Sequence, residues 1–93
     1  MSGLENTYKY MPFYVYVLGS KKINQFKKTY VGWTDNLNKR LLKHNLGKGA
    51  KSTRGRNWKV LYSEVLKSKS EALKKEYKIK KNRKLRKFLL NKI

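Results

Sequence analysis

Two short runs of aromatic and β-branched residues, Phe13 to Leu18 and Thr29 to Trp33, stand on either side of a polar, basic connection. Ring and β-branched side chains suit a pleated surface, so each run predicts a strand, and their nearness in sequence predicts an antiparallel hairpin with a long loop over Lys21 to Lys28. The first run closes at Gly19-Ser20, and the only proline, Pro12, marks where regular structure begins. Each run carries a tyrosine tripeptide, Tyr14-Val15-Tyr16 and Tyr30-Val31-Gly32. Strand alternation puts Tyr16 in phase with Tyr14 and Leu18, and Tyr30 in phase with Gly32.

The hairpin is followed by Thr34-Asp35-Asn36, good helix-capping chemistry, and Gly47 supplies a stop; the two bracket a helix of about three turns. On it Leu37, Leu41, Leu42 and Leu46 predict the apolar side, with Arg40 and His44 at its margin. Gly47 to Asn57 is basic and glycine-rich and predicts a loop, and Trp58 to Leu66 predicts a third strand. Ser70 caps a second helix from Glu71, and helix continues to the end past a break near Asn82. The order β-β-α-β-α-α predicts an α+β fold, a small three-stranded antiparallel sheet flanked by helices. Residues 1–12 are expected to be a flexible N-terminal segment and 13–93 a single domain.

Charge decides the class of partner. Among 93 residues, 25 Lys and Arg face five Asp and Glu, a net charge of +20. So small a body repels itself unless a polyanion neutralises it, which points to nucleic acid. With 39% hydrophobic and 13% aromatic residues, the chain is too rich in core formers to be a disordered basic tail. No 18-residue apolar run or lipid-facing stripe supports a membrane role, and the first twenty residues lack the pattern of a signal peptide. The absence of Cys excludes disulfides and thiolate chemistry and fits a cytoplasmic protein.

Against this charge Glu76 is conspicuous. It falls within the arc of Ala72, Leu73, Tyr77 and Ile79 on the second helix, where a carboxylate needs compensation, and a divalent cation is one candidate. An ordinary ion pair with Lys80, one turn on, is the other. Arg40 and His44 are also one turn apart and can converge on a phosphate, although basic helix residues commonly form a solvated face. Strand tyrosines commonly pack, and a phenol of pKa about 10 needs activation before it can accept a proton at neutral pH.

Taken as an ordered set, these residues carry a resemblance. The chain resembles the GIY-YIG nuclease family from Tyr14 to about Asn82: Tyr14-Val15-Tyr16 matches the first motif, Tyr30-Val31-Gly32 the second, and Arg40, His44 and Glu76 its later functional positions. It is most similar to the small stand-alone bacterial members, through Gly47 to Lys51 and Ser68 to Ala72. Tyr14 replaces the first glycine of the pattern and Val replaces both isoleucines.

The resemblance implies a metal-dependent endonuclease for DNA phosphodiesters, serving repair or processing, with little sequence specificity. Glu76 would bind one divalent ion, Mg2+ or Mn2+. Tyr16 would act as general base with Tyr30 and His44 in support, Arg40 would stabilise the phosphate, and Asn82 would help shape the site. From Lys74 to Lys92, eight Lys and two Arg face the single acid Glu76. Lys48, Lys51, Arg54 and Arg56 of the loop, with Lys80 and Arg83, are therefore expected to hold the phosphate backbone. RNA as a competing ligand and a protein partner that supplies specificity both remain open, and the alternative to an enzyme is a non-catalytic basic nucleic-acid-binding module.

Overall fold

The computed structural model describes residues 12–21 and 26–93. Apart from Pro12, the segment 1–12 lies outside the described residues, as does 22–25 within the first connection. The order is β1 (Phe13–Ser20), β2 (Lys28–Thr34), α1 (Leu37–Asn45), a 3-10 turn (Lys51–Thr53), β3 (Lys59–Leu66), α2 (Lys69–Lys81) and α3 (Arg83–Leu90). This is the α+β arrangement that the hydrophobic pattern predicts.

The sheet order is β2-β1-β3 and every pairing is antiparallel, so the hairpin is joined by β3 on the far side of β1. Tyr16 therefore faces Gly32 on one neighbour and Ser63 on the other. A bulge beside Val17 and Leu18 shifts the register against β3. As the middle strand, β1 is buried on both faces: Val15, Val17 and Leu18 are 0% exposed and Tyr16 1%.

Alternation sorts these residues into two cores. Val15 and Val17 pack with Val31, with Ala72 and Ile79 of α2 and with Leu89 of α3. Tyr16 and Leu18 pack with Trp58 and with Leu37 and Leu41 of α1. The sheet is thus a middle layer with α1 on one side and α2 and α3 on the other. Each fully buried valine contributes about 1.5–3 kcal/mol of transfer free energy, while Tyr16 on the same strand faces the α1 side.

Both long helices turn a different face inward than their apolar residues suggest. On α1 the half-buried and buried positions are Leu37, Arg40, Leu41 and His44, while Leu42 and Leu46 are exposed. On α2 the buried arc runs through Ala72, Glu76 and Ile79, with Leu73 and Tyr77 exposed. In each case polar side chains occupy part of the inner arc and displace the apolar stripe by about a quarter-turn. Lys81 covers the exposed Tyr77 ring, its ammonium 4.3 Å from the ring centroid.

The N-cap of α2 is Ser68, not Ser70: its Oγ accepts from Glu71 N at 3.1 Å, and the Glu71 carboxylate reaches back to Lys67 N at 3.2 Å. This is the Ser-x-x-Glu capping logic, which secures two otherwise orphaned N–H groups and so outcompetes a cap two residues later. Beyond it the Tyr62 hydroxyl donates to Glu64, which pairs with Lys75 at 3.5 Å and ties β3 to α2.

Candidate active site

The tyrosine hairpin and the inner face of α1 meet under the sheet. The Tyr16 hydroxyl lies 3.0 Å from His44 Nε2, and the Tyr30 ring centroid is 4.7 Å from that of His44 and 6.3 Å from that of Tyr16. His44 is 0% exposed. Gly32 makes the contact possible, because a Cβ there would lie 2.6 Å from the Tyr16 oxygen and 2.8 Å from its Cζ. The glycine of the second tripeptide is thus the space into which the phenol fits.

The far side of His44 is closed by the loop after α1. Its Nδ1 is 2.9 Å from Thr53 Oγ1, and Trp58 Nε1 donates to Thr53 O at 2.8 Å. Gly49 lies flat on the ring, where a Cβ would approach Nδ1 to 2.3 Å. Sequence reasoning reads this loop as a basic grip on phosphates and misses Thr53 and Gly49. The only signal available was a hydroxyl and a glycine within nine residues of the single histidine.

Arg40 brings charge to the same cluster. Tyr16 is pushed up to about 12, mainly by burial, with the Arg40 guanidinium pulling the other way as a hydrogen-bond donor to the phenol. That contact raises Arg40 in turn. His44 is held below its usual range by burial first and by the neighbouring Arg40 second. At neutral pH the cluster therefore contains a neutral phenol, a neutral imidazole and one fixed cation. Arg40 Nε is buried with no hydrogen-bond partner among the described residues. Arg40 also lines two adjoining hollows of about 270 and 170 Å³ with Thr34 and Asp35, the second flanked by Lys39 and Lys43. Two larger hollows, about 380 and 350 Å³, are lined by Lys21 and Asn57 with their neighbours and touch none of these residues.

Glu76 stands apart from the contact cluster. It comes from the helix on the other side of the sheet, and its tie to Tyr16 is through space: its charge is close enough to help raise the phenol's pKa. Its side chain is 18% exposed and pairs with Lys80 at 3.7 Å, so the ion pair foreseen as the simpler explanation is present. Among the described residues no group of three or more His, Cys, Asp or Glu is placed to hold a metal. A single carboxylate is nevertheless how Mg2+ is commonly bound, with waters and phosphate oxygens completing its shell. Glu76 fits that mode.

The remaining positions divide. Lys48, Lys51, Arg54, Lys80 and Arg83 are exposed. Arg56 is half-buried and clasps the end of β1, donating from Nε to Ser20 Oγ at 3.1 Å and from its terminal nitrogen to the Ser20 and Phe26 carbonyls. Asn82 is exposed and its Oδ1 accepts from Leu85 N at 3.0 Å, so its side chain is engaged in capping α3. Trp58 is buried in the core below Tyr16, and the half-buried Trp33 packs against Phe13 under the Lys69 ammonium.

The chain is 49% identical over 69 residues to a UPF0213 protein of Clostridium perfringens, covering 73% of this chain and 70% of the relative. With UPF0213 proteins of Oceanobacillus iheyensis and Staphylococcus haemolyticus the identities are 47% and 46% over 68 residues, 72% of this chain and 74% and 78% of the relatives. No solved structure matches the chain. No helix among the described residues is long and apolar enough to cross a membrane. The model of the GIY-YIG catalytic domain matches residues 12–89, and the chain belongs to that family of nucleases.

Proposed function

We propose that this protein is a divalent-metal-dependent endonuclease that hydrolyses DNA phosphodiesters to 5′-phosphate and 3′-hydroxyl ends, in the cytoplasm, for DNA repair or processing, with little sequence preference of its own. The observation that carries this reading is the buried Tyr16–His44 hydrogen bond beside Arg40. With a pKa of about 12, ionising Tyr16 beforehand at pH 7 would cost on the order of 7 kcal/mol. Tyr16 therefore accepts a proton from the attacking water as it passes its own to His44 Nε2, whose lowered pKa keeps it neutral and receptive.

The water oxygen bonds to phosphorus while the P–O3′ bond breaks, and the departing oxygen takes its proton from bulk water. Arg40 meets the charge that develops on the phosphate from the hollows that its side chain lines with Thr34 and Asp35. Glu76 would hold one Mg2+ or Mn2+, which when bound supplies Lewis-acid polarisation of a phosphate oxygen. The exposed Lys48, Lys51, Arg54, Lys80 and Arg83 would follow the backbone, which accounts for affinity without base reading.

The 3.7 Å Lys80–Glu76 pair favours one other reading, a basic module that binds nucleic acid and does not cut it. Cleavage of branched, nicked and duplex DNA with and without Mg2+ or Mn2+, by wild type, Glu76→Ala and Tyr16→Phe at matched concentrations, separates the two. The nuclease reading expects metal-dependent cutting by wild type alone. Binding with no cutting under any metal condition would establish the module instead.

A further inference from the structure

The Thr53 hydroxyl has three neighbours, and they fix its hydrogen. Ala50 N–H donates to it at 3.2 Å, Ala50 O lies 3.0 Å away as a pure acceptor, and His44 Nδ1 lies at 2.9 Å. A hydroxyl has one hydrogen and two acceptor sites. If that hydrogen turned to His44, two oxygens would face each other at 3.0 Å with nothing between them. With the hydrogen on Ala50 O and one lone pair taken by Ala50 N–H, the remaining lone pair can only accept. His44 Nδ1 must therefore carry the imidazole proton.

The other ring nitrogen completes the assignment. Arg40 can only donate, so the Tyr16 oxygen receives from Arg40 and its own hydrogen points to the bare Nε2 at 3.0 Å. The hydrogen bonds thus run in one direction, Tyr16 to His44 to Thr53 to Ala50. We propose that Thr53 is a positioning residue which, by accepting from Nδ1–H, holds His44 in the tautomer whose Nε2 can take the Tyr16 proton. The catalytic use of that tautomer rests on the nuclease reading above; the tautomer itself does not. It also gives the loop from Gly47 to Asn57 a part in the chemistry beside its charge, since this loop supplies Thr53 and the close-packed Gly49.

His44 is the only histidine, so its two ring nitrogens can be read by nitrogen NMR without assignment ambiguity. Wild type should show a protonated Nδ1 and a bare Nε2. Thr53→Val keeps the shape and removes the acceptor; it should shift the tautomer population towards Nε2–H and lower kcat about 10- to 100-fold at unchanged KM for DNA, the scale of loss when the partner orienting a functional imidazole is removed. Thr53→Ser should restore both. The proposal is overturned if wild type shows Nε2–H, if Thr53→Val keeps the wild-type tautomer and kcat, or if Thr53→Ser fails as Thr53→Val does. Should Thr53→Val not fold, the wild-type spectrum and Thr53→Ser still decide. If wild type cuts nothing yet shows protonated Nδ1, the nuclease reading has failed and the tautomer assignment stands.

Discussion

Tyr16 faces one side of the sheet and Glu76 belongs to a helix packed on the other, and the two obey different rules. Tyr16 is 1% exposed, uncharged, and aligned with a buried histidine that is itself locked from behind. Glu76 is partly open to water and held by one long ion pair to a mostly exposed lysine. Handling a proton needs a dry path with fixed donors and acceptors, because each unsatisfied buried group is expensive. Handling a phosphate and a hydrated cation needs room and exchangeable water. In the proposed nuclease the first task would fall to Tyr16 and the second to Glu76, with the sheet between the cores their elements join.

The largest expected effect breaks the two halves separately. Tyr16→Phe should lower cleavage by about 10²- to 10⁴-fold, the usual worth of a positioned proton acceptor, and leave DNA affinity unchanged. Glu76→Ala should abolish metal-dependent cleavage and leave affinity equal or higher, since it removes a negative charge from a basic surface. Titrating DNA binding beside cleavage checks both; equal loss of affinity in the two variants would erase the distinction.

Packing supplies the next contrast. Gly32→Ala and Gly49→Ala each drive a methyl into Tyr16 or His44 and should destabilise the fold by about 1–3 kcal/mol in chemical denaturation. Lys80→Ala, on the open side, should leave stability nearly unchanged.

Acid tests the buried half alone. Because His44 is neutral in the fold and its pKa lies below the ordinary 6.5, the unfolded chain binds the extra proton first, so stability falls as pH drops below about 6.5. Cleavage should fall in the same direction with a midpoint below 6.5, and a rate profile with its acid midpoint above 6.5 would contradict the neutral histidine. Salt tests the open half: log affinity for duplex DNA should fall against log salt with a slope of about −0.9 per phosphate neutralised, while the acid midpoint stays put. A small effect belongs to Glu64→Gln, which loosens the surface tie between β3 and α2 and should shift stability by only about 0.2–1 kcal/mol.

The strands, the α1 cap and the break at Asn82 were legible because they depend on local chemistry: β-branched runs, Asn36 before a helix, an Asn between two helical stretches. The inner faces of the helices were not. Leu42, Leu46, Leu73 and Tyr77 look like core in sequence and are exposed, since Arg40, His44 and Glu76 take the inward positions that periodicity assigns to apolar residues. The placement of β1 between its partners is a tertiary fact with no local signal. Of the candidate site, Tyr16, Tyr30, Arg40 and His44 could be found by resemblance and the structure brings them into contact. Thr53 could not, because its role depends on a loop folding back over a ring nine residues earlier.

The joint between α2 and α3 is a single exposed residue, yet it behaves as a weld. Asn82 N–H closes α2 on Ile79 O at 3.0 Å, and its side chain opens α3 on Leu85 N at the same distance. Leu85 and Leu89 dock α3 into the core that they share with α2, so a residue added or removed at this non-helical joint would disturb that docking. The basic residues of α3 are thereby held in a fixed relation to the helix that carries Glu76. The spacing of this joint therefore constrains where the lysines and arginines of α3 point more than the identity of any one of them does.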